Sequence, residues 1–239
     1  MKNYHETNEL AADLRRQWGI DQYAPIDIFS TVVEKIDNLT LIFMVLDNET
    51  SGCCCQSKND KLILINSIHS KGRQNFTLAH ELYHILYEKS KEWIICSYEE
   101  QNNDSEKEAD NFASSLLLPI NALIDYKRQN KIKKWSLNDI IRCEQYFQIS
   151  HLSMLCRLRK ENQISYEEFN DYRPNIKSNA SKLGFSTDLY ESSSENKKYY
   201  STGEYIPLTE KIYNNNKISI GKKEELLLDV YRSDIVYNL

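Results

Sequence analysis

Apolar positions recur at three- and four-residue steps in some stretches of this chain and alternate in others, and that contrast outlines its elements. In residues 7–18, Leu10, Ala11, Leu14 and Trp18 share one helical face, and Gly19 closes the helix. Asp27 to Ile36 reads as a second short helix, and Leu39–Val45 is β-rich. Cys53–Gln56 and Lys61–Ile65 read as two strands joined by the polar turn Ser57–Asp60, so a small antiparallel sheet is expected ahead of the next helix. That helix runs from Arg73 to Glu88, with Phe76, Ala79, Tyr83 and Leu86 on one face. Another runs from about Ser105 to Leu118, with Asp104 or Ser105 as N-cap and Pro119 as its stop. Beyond it the pattern predicts helices over Ile120–Gln129, Ser136–Phe147 and His151–Lys160. The last two are joined by Gln148-Ile149-Ser150 with helix-turn-helix-like spacing. Residues 174–204, with Pro174, Gly184 and the polar run Glu191–Lys198, read as a loose linker. Leu208–Asn215 reads as a helix, and Glu225–Tyr237 is rich in Ile, Val and Leu.

Composition changes this picture little. Hydrophobic residues make up 41% and charged residues 27%, an ordinary globular balance that permits a sizeable core. The net charge of -5 and a pI of about 5.6 give no global basic footprint for nucleic acid. Direct DNA binding is therefore not expected. The Ser136–Lys160 segment reads as a packing or docking element, and the basic residues in and just before it (Lys131, Lys133, Lys134, Arg157, Arg159 and Lys160) as solvated. No apolar run approaches the roughly 18 residues needed to span a bilayer, and the N-terminus lacks the apolar stretch of a signal peptide. The expectation is a cytoplasmic protein without a membrane partner. Six cysteines, three of them consecutive at Cys53–Cys55, match neither a disulfide framework nor paired zinc knuckles and read as reduced structural thiols.

The chemistry lies in His80-Glu81-Leu82-Tyr83-His84. On a helix, positions i and i+4 are neighbours on one face, so His80 and His84 present two imidazoles to one metal ion, the arrangement that tetrahedral zinc takes. Glu81 projects beside the metal, where it can take a proton from the attacking water and pass it to the leaving amine. Zinc lowers the pKa of such a water to about 7. A third protein ligand is required, and the acidic helix Glu106-Lys107-Glu108-Ala109-Asp110 offers one. Glu106 is the natural zinc ligand. Asp110, at i+4 on the same face, is placed to orient a ligand histidine through its free N–H. Glu108 is the fallback ligand but points to another face. His5, His69 and His151 lack such company and read as surface or capping residues. Proximity alone nominates His69 or Arg73 as an oxyanion-stabilising group.

The phrases FTLAHELYHILYEKS and EKEADNFASSLLLP together resemble the ImmA/IrrE family of zinc metallopeptidases. The likeness extends upstream to the strand Leu62–Asn66 and downstream to Tyr146–Ser150 and Met154–Leu158, about residues 7–170 in all. It implies His80, His84 and Glu106 as zinc ligands and Glu81 as catalyst. Two positions depart from the family phrase. Tyr83 stands where Gly is usual, which would narrow the cleft, and Asp110 stands where Asn is frequent. Members of this family are often encoded on mobile elements and are known for site-specific cleavage of a helix-turn-helix repressor, so the implied partner is such a protein.

The expected fold is α+β: a zincin-like core of a small antiparallel sheet, the HExxH helix and a second ligand helix, with a helical, helix-turn-helix-like extension over about 120–170. Residues 1–170 would form the metallopeptidase domain and 171–239 a C-terminal appendage. The expected activity is a Zn2+-dependent endopeptidase acting on a transcriptional repressor. The alternative is a zinc-containing regulatory module, one half of a toxin–antitoxin-like pair, that binds its partner without turnover.

Overall fold

A computed structural model describes residues 2–88, 93–94 and 104–238. The chain opens with α1 (Tyr4–Gln17), started by an Asn3–Glu6 capping box, and α2 (Ile28–Lys35), capped by Asp27. Strands β1 (Leu39–Met44), β2 (Gly52–Gln56) and β3 (Lys61–Asn66) follow, then α3 (Lys71–Tyr87), the short β4 (Trp93–Ile94) and α4 (Asp104–Leu117). The extension comprises α5 (Ile120–Gln129), α6 (Leu137–Phe147) and α7 (His151–Lys160). Residues beyond it form α8 (Tyr166–Tyr172), α9 (Ile176–Lys182), two 3-10 turns, β5 (Tyr200–Gly203), α10 (Tyr205–Asn214), α11 (Ile220–Asp229) and α12 (Ser233–Tyr237).

The fold is α+β, built on one five-stranded sheet in the order β4-β2-β3-β1-β5. The β2–β3 hairpin is antiparallel as expected, but β1 runs parallel to β3, so the sheet is mixed rather than antiparallel. After β1 the chain crosses to the far side of β3 before β2 begins, and the hairpin then returns β3 between them. Asn66, fully buried at the end of β3, holds that crossing: its side chain accepts from Leu46 N and donates to the carbonyls of Asp47 and Thr50. Alternation puts Leu41, Ile63 and Cys54 in one buried row across three strands. Helix α3 packs over β2 and β3, and its other side meets α4, which in turn packs on α1.

Residues 174–204 are not a loose linker. They contain α9 and β5, and β5 pairs antiparallel with β1 at the sheet edge. Their polar run is held by hydrogen bonds rather than apolar burial, which is why its composition looked unstructured. Lys71 N donates to Glu191 O at 2.8 Å and Ser193 N to Ser67 O at 3.0 Å.

The turn between α6 and α7 is built as the sequence suggested, with Ser150 accepting from Ser153 N, and with Gln148 in the left-handed region at φ 56°. It is docked on the start of α3. Asn75 Nδ2 donates to Gln148 O at 2.7 Å, and a Cβ on Gly72 would come within 2.9 Å of Ser150 Cα. Among the described residues no helix is long and apolar enough to cross a membrane.

Candidate metal centre

Ser70 starts α3 by accepting from Arg73 N, and the helix then buries Leu78, Ala79, Leu82 and Tyr83. This packing turns His80 and His84 together toward α4. His84 is 1% exposed, and its Nε2 lies 3.1 Å from His80 Nε2. Glu106 completes the group from α4, 3.0 Å from His80 Nε2 and 3.5 Å from His84 Nε2. A tetrahedral zinc ion with bonds of about 2.0–2.1 Å holds its ligand atoms roughly 3.3 Å apart, so these three groups have the spacing of a metal's ligand set. Among the described residues they form the cluster of His, Cys, Asp or Glu that can hold a metal ion.

Asp110 lies one turn beyond Glu106, with Oδ1 2.9 Å from His80 Nδ1. With Nδ1–H donating to that carboxylate, the Nε2 lone pair is directed at the shared centre. Burial works against charge on His80. The hydrogen bonds to Asp110 and Glu106 and the charge of Glu81 outweigh it, and its pKa is raised to about 10. The donor set thus carries an excess of negative charge that a bound cation would balance. Glu88 stands 3.1 Å from His84 Nδ1, but without hydrogen-bonding geometry, so that buried nitrogen has charge nearby and no acceptor in line.

Glu81 is 1% exposed and faces β2. The Cys54 thiol donates to its carboxylate. Burial first, and then the charge of Glu81, keep that thiol protonated. A Cβ on Gly52 would sit 3.7 Å from Glu81 Oε1 and only 2.6 Å from Thr77 Cγ2, so the strand approaches α3 here because position 52 has no side chain. Its place beside Glu81 gives Cys54 a role beyond that of a structural thiol. No motif marks it, since only the β2–β3 register turns it toward α3.

Glu108, the fallback ligand, is committed elsewhere. Tyr83 Oη donates to its carboxylate, as does Lys2 N, and Lys2 Nζ donates to Tyr83 Oη at 2.9 Å. Tyr83 itself is 1% exposed and packs against Tyr87 and Phe112, so it fills the α3–α4 seam rather than narrowing the cleft. His151 is a buried group and not a surface or capping residue: Nδ1 lies 2.8 Å from Glu144 Oε2 and Nε2 3.0 Å from Tyr172 O. His69 is buried with Nε2 turned to Asn48 O at 3.3 Å. Arg73 is exposed and donates to Ser51 Oγ through Nε and Nη2 at 3.2 and 2.8 Å.

His80, Glu81, Glu106 and Asp110 open into a cleft of about 690 Å³. Its walls come from three places: the β2 approach, the start of α3, and the α7–α9 region, which contributes Ser150, His151, Arg173 and Ile176. The cleft is open to solvent.

Residues 32–159, just over half of the chain, match the Peptidase_M78 family model, described as an IrrE N-terminal-like domain. No curated protein is a significant sequence match. Among matching solved structures is a Mycobacterium tuberculosis transcriptional regulator, at 15% identity and a TM-score of 0.46. The alignment covers 64% of this chain and 46% of that one, so this chain spans less than half the length of that protein.

Proposed function

The chain belongs to the Peptidase_M78 family, and from that premise we propose that it is a zinc-dependent endopeptidase that cleaves a helix-turn-helix transcriptional repressor in the cytoplasm. The observation that carries this reading is the convergence of His80, His84 and Glu106, one ligand atom from each within 4.8 Å of the others, beside an open cleft that His80 and Glu106 line. His80, His84 and Glu106 are the proposed ligands. When bound, zinc supplies Lewis acidity that polarises the scissile carbonyl and acidifies water.

The remaining work falls to the protein. Glu81 takes the proton from the attacking water and delivers it to the departing amine nitrogen. Its burial and the Cys54 thiol hold its carboxylate in place for both transfers. Asp110 fixes the His80 ring through Nδ1. Residues 1–170 are taken as the catalytic unit, and 171–239 as an appendage that braces it through β5.

The test is metal content and cleavage of a candidate repressor, comparing wild type with Glu81→Gln. Stoichiometric zinc in both proteins, with cleavage by wild type only, supports the peptidase and the role of Glu81. Zinc in both and cleavage in neither favours a zinc-containing binding module. Wild type without metal overturns the reading.

A further inference from the structure

We propose that the cleft carries a subsite for an acidic side chain of the substrate, formed by Arg73 and Arg173; the proposal rests on the peptidase reading above. Both arginines are exposed and line the cleft that holds His80 and Glu81. Neither forms an ion pair with any carboxylate among the described residues. Arg73 spends its hydrogen bonds on the neutral Ser51 hydroxyl, and three of its five N–H donors remain uncommitted.

A chain of contacts links the segments that carry them. Gly72, beside Arg73, abuts Ser150; the next residue, His151, reaches the carbonyl of Tyr172, which precedes Arg173. Of the cleft's carboxylates, Glu81, Glu106 and Asp110 belong to the proposed metal centre, and Glu49 makes no ion pair with either arginine. The two guanidinium groups thus line the same cleft as His80, Glu81, Glu106 and Asp110 and form no ion pair there among the described residues.

The spacing says where the acid would fall. Arg73 precedes His80 by two helical turns, about 10 Å along α3. An extended peptide advances about 3.3 Å per residue, so the favoured Asp or Glu lies about two to four residues from the cut bond, on one side of it. Planar guanidinium groups match a carboxylate with paired N–H donors and discriminate against a neutral amide of the same shape.

The test incubates the zinc-loaded full chain with a randomised peptide mixture and reads the products by mass spectrometry, alongside Arg73→Glu and Arg173→Glu. The expected result is enrichment of Asp and Glu at one position, cleaved about tenfold faster than Asn and Gln there, as one charge-assisted contact implies. Both reversals should abolish that preference and favour Lys or Arg instead. If a reversal does not fold, Arg73→Gln and Arg173→Gln decide, since each must weaken the preference. Cleavage with no acidic preference, or a preference untouched by every variant, overturns the subsite and leaves the peptidase standing. Absence of any cleavage by zinc-loaded wild type overturns the peptidase reading and the subsite with it.

Discussion

Asp110 on α4 holds Nδ1 of His80 on α3 at 2.9 Å, so the orientation of one proposed metal ligand is set by the helix that also supplies Glu106. The side chain of Asp110 is 60% exposed, so its removal leaves little cavity, and the effect should fall on the metal. Asp110→Ala is expected to weaken zinc binding about 10–100-fold, with Asp110→Asn closer to wild type because it can still accept from the ring N–H. Competition against a chromophoric chelator measures both. Unchanged affinity in Asp110→Ala would remove Asp110 from the site.

Gly52 lets β2 approach α3. Gly52→Ala places a methyl 2.6 Å from Leu64 O and from Thr77 Cγ2, and the strand must shift to accommodate it. A loss of about 1–3 kcal/mol is expected, read as a lower melting temperature. Because Glu81 lies just beyond the new methyl, peptidase activity should fall further than the lost folded fraction explains. A melting curve that matches wild type would mean that the approach is not tight.

Tyr83 ties the two site helices through its hydroxyl. Tyr83→Phe leaves the Glu108 carboxylate with Lys2 as its remaining partner and should cost about 1–3 kcal/mol in urea denaturation, with zinc content preserved. Tyr83→Gly, which restores the residue usual in the resembled family, removes a buried aromatic ring and should cost about 3–5 kcal/mol. A stable Tyr83→Gly protein would contradict the packing role.

The basic residues near the helix-turn-helix-like turn are partly used up inside the fold. Arg157 is 2% exposed and donates to Ser115 Oγ, and Lys160 lies over the Tyr4 ring and reaches Asn111. With the turn itself docked on α3, the chain should show no steep salt-dependent retention on immobilised DNA. Strong retention at low salt that disappears with a slope of several counterions would point to a nucleic-acid surface instead.

Much of the centre was legible because helical geometry converts sequence spacing directly into space: His80, His84, Glu106 and Asp110 converge as i, i+4 pairs on two helices. The Ser150 cap and the β2–β3 hairpin were legible for similar local reasons. Strand direction was not, because alternation reads the same for a parallel and an antiparallel β1; the connection held by Asn66 decides it. Tyr83 was misplaced because a helix exposes several apolar faces to different neighbours, and only the position of α4 selects the one that faces the core. Cys54 and Arg173 carry no motif. Strand register brings Cys54 to Glu81, and a distant helix end brings Arg173 to the cleft, neither of which a local pattern records.

The pairing of Thr40 with Gly203 spans most of the chain, whereas the groups from His80 to Asp110 lie close together in sequence. The two parts therefore mature on different clocks during synthesis. Helices α3 and α4 can meet while the ribosome is still making the last third, but β1 waits with an open edge until β5 emerges. The candidate metal centre can thus be assembled before the sheet is sealed, and that unsealed edge is the point at which a nascent chain is most exposed to mispairing or to capture by a chaperone.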